Sequence, residues 1–379
     1  MEWRIPLFKI YWDEDDITAV NKAISRGMNW AIGPEVAQFE EKLSEYLKVK
    51  YCLTFNSGTS ALHAILLAYG IGPGDEAIVP SFTFIATANA ALFVGAKPVF
   101  ADIEEETYGL NPKDVERKIT QKTRVIIPMH YGGCPCLMGE LKEVAQRHNL
   151  LLIEDAAESL GADINGTKVG SIGDAAILSF CQSKIITTGE GGAVVTNSRD
   201  IYQKLQLIRS HGRLEDSNYF SSTEYMDYVA LGYNFRMSNI TAALGLAQLD
   251  KINEVVEMRR RNAQLLNLKL SHIKGIVTPN PPGGLYHVYQ MYSIRVPGHL
   301  RDRLKQYLAD GGIMSKVFFY PIHKTHFYKN ELKYDCVLPV TEMVSKQVLT
   351  LPMYPSLSEE EITIISRHIA DYLSEVNES

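Results

Sequence analysis

Apolar residues recur along this chain with two different spacings, and the spacing changes near residue 51. Before that point, residues 13–26 and 35–47 place apolar side chains at helical intervals. From residue 51 to about 200, short apolar runs alternate with helical patterns. The strand candidates are residues 77–80, 98–100, 124–128, 150–153, 175–180 and 192–196. This alternation predicts an α/β fold with βαβ crossovers, in which helices cover a mostly parallel central sheet.

The pattern changes again in the last third of the chain. Residues 238–274 predict one or more long helices, with Ser238 as the N-cap, and residues 279–284 form a break rich in proline and glycine. The later segments predict a strand at 290–296, a helix at 300–309, an extended stretch at 313–320 and a helix at 359–376. We therefore expect a large domain at residues 1–250, which includes the N-terminal helical segment. A smaller α+β domain is expected at residues 251–379.

Composition and charge narrow the class of protein. The 379 residues are 46% hydrophobic and 22% charged, which is ordinary for a globular protein, and the net charge of −6 gives no footprint for nucleic acid. No apolar run is long enough to span a membrane. The five cysteines are scattered, and Cys134-Pro-Cys136 lacks a second ligand pair, so we expect no metal site. The first residues also lack a signal-peptide profile, and we expect a cytoplasmic protein.

One lysine and one acid follow strand candidates in the first domain. Lys184 lies in a polar turn just after the strand at 175–180, and glycines follow it; Asp155 ends the apolar run that begins at residue 150. Pyridoxal phosphate (PLP) requires such a pair, because a lysine forms a Schiff base with its aldehyde and an acid pairs with its pyridinium nitrogen. Taken alone, such a pair is more often two solvated polar residues. The remaining motifs favour PLP.

Three further segments fit a cofactor site, each with a simpler alternative. The sequence NSGTSAL at 56–62 opens an apolar helix, whose amides and hydroxyls suit a phosphate, although a Ser/Thr helix cap is the plainer explanation. Ser179, shortly before Lys184, can add a phosphate hydroxyl. Phe84 can stack on a flat cofactor or pack in the core. His130 can line the pocket or be a hydrogen-bonded loop histidine, and the residues leave both open.

Several short motifs occur in one order along nearly the whole chain. They are FE at 39–40, NSGTSAL at 56–62, PSFTFIAT at 80–87, EDAA at 154–157, TTGEGG at 187–192 and GYNFRM at 232–237. In these motifs the chain resembles the fold-type I PLP enzymes of the DegT/DnrJ/EryC1/StrS class, the nucleotide-sugar aminotransferases. The resemblance implies the fold-type I aminotransferase architecture and a cofactor that alternates between PLP and pyridoxamine phosphate.

The resemblance also implies roles for the residues around the cofactor. Lys184 would carry the Schiff base and move the proton, and Asp155 would keep the ring nitrogen protonated. Phe84 would cover the ring. Glu158 stands where the family often has Gln, near the ring hydroxyl. The phosphate would be held by Gly58, Thr59 and Ser179.

The resemblance also implies how two chains assemble and which residues bind the sugar. Asn234 would reach the phosphate of the neighbouring subunit's cofactor, which implies a homodimer with shared active sites. Tyr320 and His323 match a segment of the sugar site, where His130 is a further candidate. Gln290 departs from the family, in which many members carry a His.

The implied reaction has two halves. An amino acid, most often glutamate in this family, gives its amine to the cofactor, and the amine then passes to a ketone on a nucleotide-linked deoxysugar. The segments 154–158 and 187–192 are more similar to perosamine-type enzymes, which aminate C4, than to the C3 group. Amination at C3 stays an alternative.

Three other functions are less compatible with the sequence. In the PLP-dependent sugar dehydratases of this fold a histidine replaces the lysine, so the presence of Lys184 disfavours that reaction. A non-catalytic PLP-binding regulator is disfavoured because the lysine, acid and phosphate motifs are all retained. A nicotinamide-binding Rossmann protein would need a Gly-x-Gly-x-x-Gly turn after the first strand, and the sequence lacks one.

Overall fold

The computed structural model describes residues 3–214 and 222–378. The helices are α1 Glu14–Ser25, α2 Pro34–Leu47, α3 Gly58–Ala68, α4 Ile85–Phe93, α5 Pro112–Lys118, α6 Met138–Arg147, α7 Arg199–Arg209, α8 Asn239–Asp250, α9 Ile252–Leu270, α10 Gly298–Asp310, α11 Pro339–Gln347 and α12 Glu359–Glu378. The strands are β1 Tyr51–Phe55, β2 Glu76–Pro80, β3 Lys97–Ala101, β4 Thr123–Ile126, β5 Leu151–Asp155, β6 Asp163–Ile164, β7 Thr167–Lys168, β8 Ala175–Ser179, β9 Gly192–Thr196, β10 Leu285–Tyr286, β11 Tyr292–Arg295 and β12 Val348–Leu351.

A seven-stranded sheet forms the centre of the molecule, in the order β1-β9-β8-β5-β4-β2-β3. The strands from β8 to β3 pair in parallel, whereas β9 runs antiparallel to both β1 and β8. The prediction of a mostly parallel sheet is confirmed. The reversed β9 follows from a short connection, because residues 180–191 return the chain to the edge at which β8 ends. That connection contains Lys184.

Both faces of the sheet are buried, as the continuous apolar runs predict. In β8, Ala175 and Ile177 pack into the core on one face, and Ala176 and Leu178 pack into the core on the other. This alternation follows from the two-residue period of a strand. With both faces covered, the edge at the strands' carboxyl ends is left for polar side chains.

A second hydrophobic core lies in the C-terminal part of the chain. It joins α9, α10 and α12 to the antiparallel pair β11–β12, and Ile5 from the N-terminal segment packs into it. Helix α9 contributes to both cores, since Val255 and Val256 belong to the core next to the large sheet. The α+β character expected of this part is confirmed, and the boundary at residues 250/251 stays a prediction.

Several elements differ from the expectation. The apolar runs in the sequence do not predict strands β1 and β12. These strands are recognised only from their pairing with β9 and β11. The stretch 313–320 forms single bridges, from Ile313 to Ile5 and from Lys316 to Thr350, rather than a full strand.

Ser238 caps α8 as predicted, with its side chain accepting from the Thr241 amide. In the described ranges, every helix is too short or too polar to cross a lipid bilayer.

Candidate active site

A cavity of about 510 Å³ opens at the carboxyl ends of β5 and β8. It brings together seven of the residues singled out in the sequence, which come from five separate segments. They are Gly58, Thr59, Phe84, Asp155, Glu158, Ser179 and Lys184. The carboxyl ends of neighbouring parallel strands lie at the same edge of a sheet. Residues that follow these strands therefore lie close together at this edge.

Asp155 ends β5 and lies buried at the cavity wall. Its Oδ2 accepts a hydrogen bond from Thr87 Oγ1 at 2.7 Å, and its Oδ1 accepts from the Ala157 amide at 3.2 Å. Burial raises the pKa of this carboxyl, and the two hydrogen bonds and the positive charge of Lys184 act in the opposite direction. A buried carboxylate held in this way is suited to bind a cationic group that enters the cavity.

Lys184 and Glu158 form an ion pair at the same cavity. Lys184 Nζ lies 3.2 Å from Glu158 Oε1, and the Gly132 amide donates to Glu158 Oε2 at 3.0 Å. Side-chain exposure is 17% for Lys184 and 7% for Glu158, so the pair is largely shielded from water. The carboxylate of Glu158 thus pairs with the lysine, and its contact with a cofactor ring hydroxyl stays a prediction.

The N-terminus of α3 and the end of β8 form a close-fitting cradle. Ser57 caps α3, and its side chain accepts from the Ser60 amide at 3.0 Å. A Cβ added to Gly58 would lie 3.1 Å from Ser179 Cβ, which is tighter than an ordinary contact, so a side chain at this position would press on the end of β8. The amides at the start of a helix lack intrahelical acceptors, and with the Ser179 hydroxyl they offer a site for an anion.

Phe84 lies at the mouth of the cavity and not in the core. It directly precedes α4 and is 59% exposed. This exposure removes the core-packing alternative, because a core side chain would be buried. An exposed ring at a cavity mouth can cover a flat ligand.

Four sequence candidates lie outside this cavity. Asn234 is exposed, and its carbonyl oxygen accepts from Asn56 Nδ2 at 3.4 Å. Tyr320 is 59% exposed, next to Phe319, which does line the cavity. The other two are histidines, His130 and His323.

Both histidines are buried in hydrogen-bonded networks. His130 Nδ1 accepts from the Cys136 amide at 3.1 Å, so its Nε2–H donates to Glu154 at 3.2 Å. His323 bonds Ser81 Oγ through Nδ1 at 2.7 Å and Glu342 through Nε2 at 3.3 Å. The alternative of a hydrogen-bonded loop histidine therefore describes His130. Both nitrogens of each ring are paired with groups of this chain, and a contact of either ring with a substrate stays a prediction.

Thr87 orients Asp155 through its hydrogen bond to Oδ2, although it is not among the site residues that the sequence predicts. A signal was present: Thr87 follows Phe84 by three residues, one helical turn, within a motif that carries the family resemblance. Lys316, Phe318 and Phe319 also line the cavity. They come from the extended stretch after residue 313, and no local pattern connects that stretch with the large sheet.

The chain is similar to known proteins over most of its length. A family model described as the DegT/DnrJ/EryC1/StrS aminotransferase family matches residues 11–370. GDP-perosamine synthase from Caulobacter vibrioides is 40% identical over 336 residues, 88% of each chain. UDP-N-acetyl-3-dehydro-alpha-D-glucosamine 3-aminotransferase from Acidithiobacillus ferrooxidans is 36% identical, over 93% of this chain and 92% of that one.

A solved structure extends the comparison to the cofactor. The Streptococcus pneumoniae protein Spr1654 in its PLP form matches with a TM-score of 0.92 and 29% identity, over 98% of this chain and 99% of that chain. Its PMP form matches with a TM-score of 0.93 and 29% identity, over 98% of this chain and all of that one.

Proposed function

This chain belongs to the DegT/DnrJ/EryC1/StrS aminotransferase family, and from that premise we propose a specific reaction for it. The protein moves the amino group of an amino acid, glutamate, to a keto-deoxysugar linked to a nucleoside diphosphate, and the amine enters at C4. The observation that carries this proposal is the meeting of Lys184, Asp155 and the α3 N-terminus at one cavity.

The residues at the cavity fit PLP. The cradle at Gly58, with Thr59 and Ser179, would hold the phosphate, since amides and hydroxyls converge there and a Cβ would fill the space. Asp155 offers the buried carboxylate that a ring cation needs. Lys184 offers an amine for covalent attachment.

When bound, PLP supplies an aldehyde that accepts an amine and a ring that withdraws electrons from the substrate carbon. The side chains supply the rest. Lys184 Nζ would act as the base that accepts the transferred proton and as the acid that returns it, in both halves of the reaction. Glu158 holds this amine in place by the 3.2 Å ion pair, and Phe84 shields the ring face at the cavity mouth.

The nucleotide-sugar substrate is inferred from the relatives. One is named as a GDP-perosamine synthase and another as a 3-aminotransferase of a UDP-linked sugar, and the chain is similar to both over most of their length. Perosamine carries its amine at C4. The higher identity to that protein supports C4, together with the similarity of segments 154–158 and 187–192 to perosamine-type enzymes.

An assay with defined keto sugars tests the site of amination. Enzyme loaded with the amine of glutamate is incubated separately with 3-keto and 4-keto sugars, each linked to GDP or UDP, and the aminated carbon is identified by NMR. We expect nitrogen at C4. Product with nitrogen only at C3 would overturn the C4 proposal and leave the aminotransferase intact.

The homodimer with shared sites is proposed from Asn234. Its exposure and its place outside the cavity of its own chain are consistent with a role in the partner's site. Leu231 and Val229, close by in sequence, are 83% and 51% exposed, which is unusual for such residues unless another chain covers them. Tyr320, also exposed, is the sugar-site candidate with the best access to such a shared cavity.

Subunit complementation tests this arrangement. Chains carrying Lys184→Ala and Asn234→Ala, with different affinity tags, are coexpressed and the heterodimer is purified. We expect each homodimer to be inactive and the heterodimer to regain about half of the wild-type activity, because one of its two sites carries neither change.

A second heterodimer, which also carries one change in each chain, provides the control for this experiment. Lys184 and Asp155 line the cavity of one chain, so a heterodimer of Lys184→Ala with Asp155→Asn has a lesion in each site and should stay inactive. Equal recovery in both heterodimers, or full activity of a monomer at high dilution, would contradict the shared site.

A further inference from the structure

Gln290 lines the same cavity, and one of its two polar side-chain atoms lacks a partner. Its Nε2 donates to the carbonyl oxygen of Ser183, the residue before Lys184. Its Oε1 is buried and accepts no hydrogen bond from any group in residues 3–214 or 222–378. Buried polar atoms are seldom left in this state, so the oxygen calls for a partner from outside the chain.

The Ser183 carbonyl determines which amide atom is free. If the amide group of Gln290 were turned over, its oxygen would face the carbonyl oxygen of Ser183, and two acceptors would repel each other. The nitrogen therefore faces Ser183, and the unpaired atom is the acceptor. A ligand group that meets it must be a hydrogen-bond donor.

The backbone around Gln290 is held from two sides. The buried Arg259 donates from Nη1 to the carbonyl oxygens of Tyr289 and Gln290, at 3.2 and 3.4 Å. On the other side, the Met291 amide donates to the Gly132 carbonyl at 3.0 Å. The backbone of the segment is thus preorganised, and the hydrogen bond from Nε2 to Ser183 holds the side chain, so the free oxygen cannot turn to another donor without breaking that bond.

The same contacts connect Gln290 with the reacting lysine by two routes. One route is direct, through Ser183 to Lys184. The other passes from Met291 to Gly132, whose amide bonds Glu158, and Glu158 pairs with Lys184 Nζ. Gln290 therefore belongs to the wall of the cavity that holds the lysine.

We infer that Gln290 Oε1 binds a hydroxyl of the acceptor sugar, next to the ketone that is aminated. This inference rests on the proposed function. Because Oε1 is a hydrogen-bond acceptor, it is unsuited to bind the carboxylate of the amino donor or the diphosphate. Both of these groups present only acceptors at neutral pH. In a 4-keto-6-deoxyhexose only one carbon adjacent to the ketone, C3, bears a hydroxyl, so the partner is the C3 hydroxyl. Gln290 is then a substrate-binding residue that selects sugars by this group.

Paired substrates test the contact. The probes are a GDP-linked 4-keto-6-deoxyhexose and its 3-deoxy counterpart. We measure kcat/KM with each sugar for the wild type, Gln290→Met and Gln290→Glu. For the wild type we expect a preference for the hydroxylated sugar of about 10- to 100-fold, the loss typical when a buried acceptor stays unpaired. Gln290→Met, of similar length, should abolish the preference. Gln290→Glu, which keeps an acceptor but cannot donate to Ser183, should retain part of it.

Two controls separate this contact from a structural role. Met291→Leu alters the neighbouring wall without a polar atom and should change kcat/KM for both sugars alike, so its preference stays that of the wild type. Gln290→Met also loses the hydrogen bond to Ser183, so its glutamate half-reaction measures the cost of that loss alone, and the rate with the hydroxylated sugar should fall about tenfold or more beyond it.

The outcomes are distinct. If Gln290→Met keeps the wild-type preference, or slows glutamate and sugar equally, the residue only holds the Lys184 loop and the inference is wrong. If the wild type aminates neither sugar of the pair nor any other keto sugar, the proposed function fails instead. The preference is a ratio of two rates on one preparation, and it therefore does not depend on how much of a variant folds.

Discussion

A Lys184→Ala variant is expected to lose transamination, with a rate reduced by roughly 10⁴-fold or more, the upper range for removing a general acid–base group. The physical reason is that Lys184 Nζ is the amine held by Glu158 at the cavity, and alanine has no group that can take up or return a proton. The phosphate cradle at α3 is untouched, so PLP should still bind through its phosphate. Turnover and bound cofactor are measured on the same preparation.

Chemical labelling identifies the lysine directly. Borohydride reduction of the wild type with PLP, followed by peptide mapping, should place a phosphopyridoxyl group on Lys184. Lys316 provides a matched control, because it lines the same cavity and its Nζ lies 4.9 Å from the centre of the Phe318 ring. A Lys316→Ala variant should keep the label on Lys184; a label on any other lysine would refute the assignment.

An Asp155→Asn variant is expected to lose roughly 100- to 1,000-fold in rate while it retains its cofactor, since such losses follow removal of one preorganised electrostatic partner. Asparagine has the shape of aspartate and can still accept a hydrogen bond from Thr87. It lacks the negative charge that would keep the nitrogen of the cofactor ring protonated. Single-turnover rates with glutamate, and cofactor content after dialysis, separate the two effects.

The neighbouring Thr87 provides the comparison for this variant. Thr87→Val removes the 2.7 Å hydrogen bond to Asp155 Oδ2 and leaves the charge, so its loss should be about tenfold, that of one hydrogen bond to a charged group. If Asp155→Asn turned over near the wild-type rate, the electrostatic role would be wrong. If it lost cofactor in proportion to activity, Asp155 would only bind the ring.

The sequence by itself predicted the elements that carry the site. Lys184 and Asp155 could be located because they lie just after and at the end of short apolar runs, and the α3 start could be located because NSGTSAL opens an apolar helix. Parallel strands with both faces buried leave only their carboxyl ends for polar chemistry. The order of the motifs along the chain also predicted the family, and the family match over residues 11–370 confirms it.

Only the tertiary structure decided which side chains touch. Thr87 and Asp155 are 68 residues apart, Ser183 and Gln290 are 107 apart, and no local pattern predicts such contacts. His130 shows the same limit, since a histidine at a strand end has one signature in the sequence whether it faces a cavity or a buried carboxylate. Burial and partner identity come from segments that the fold brings together, because the energy of a hydrogen bond depends on distance in space and not on separation along the chain.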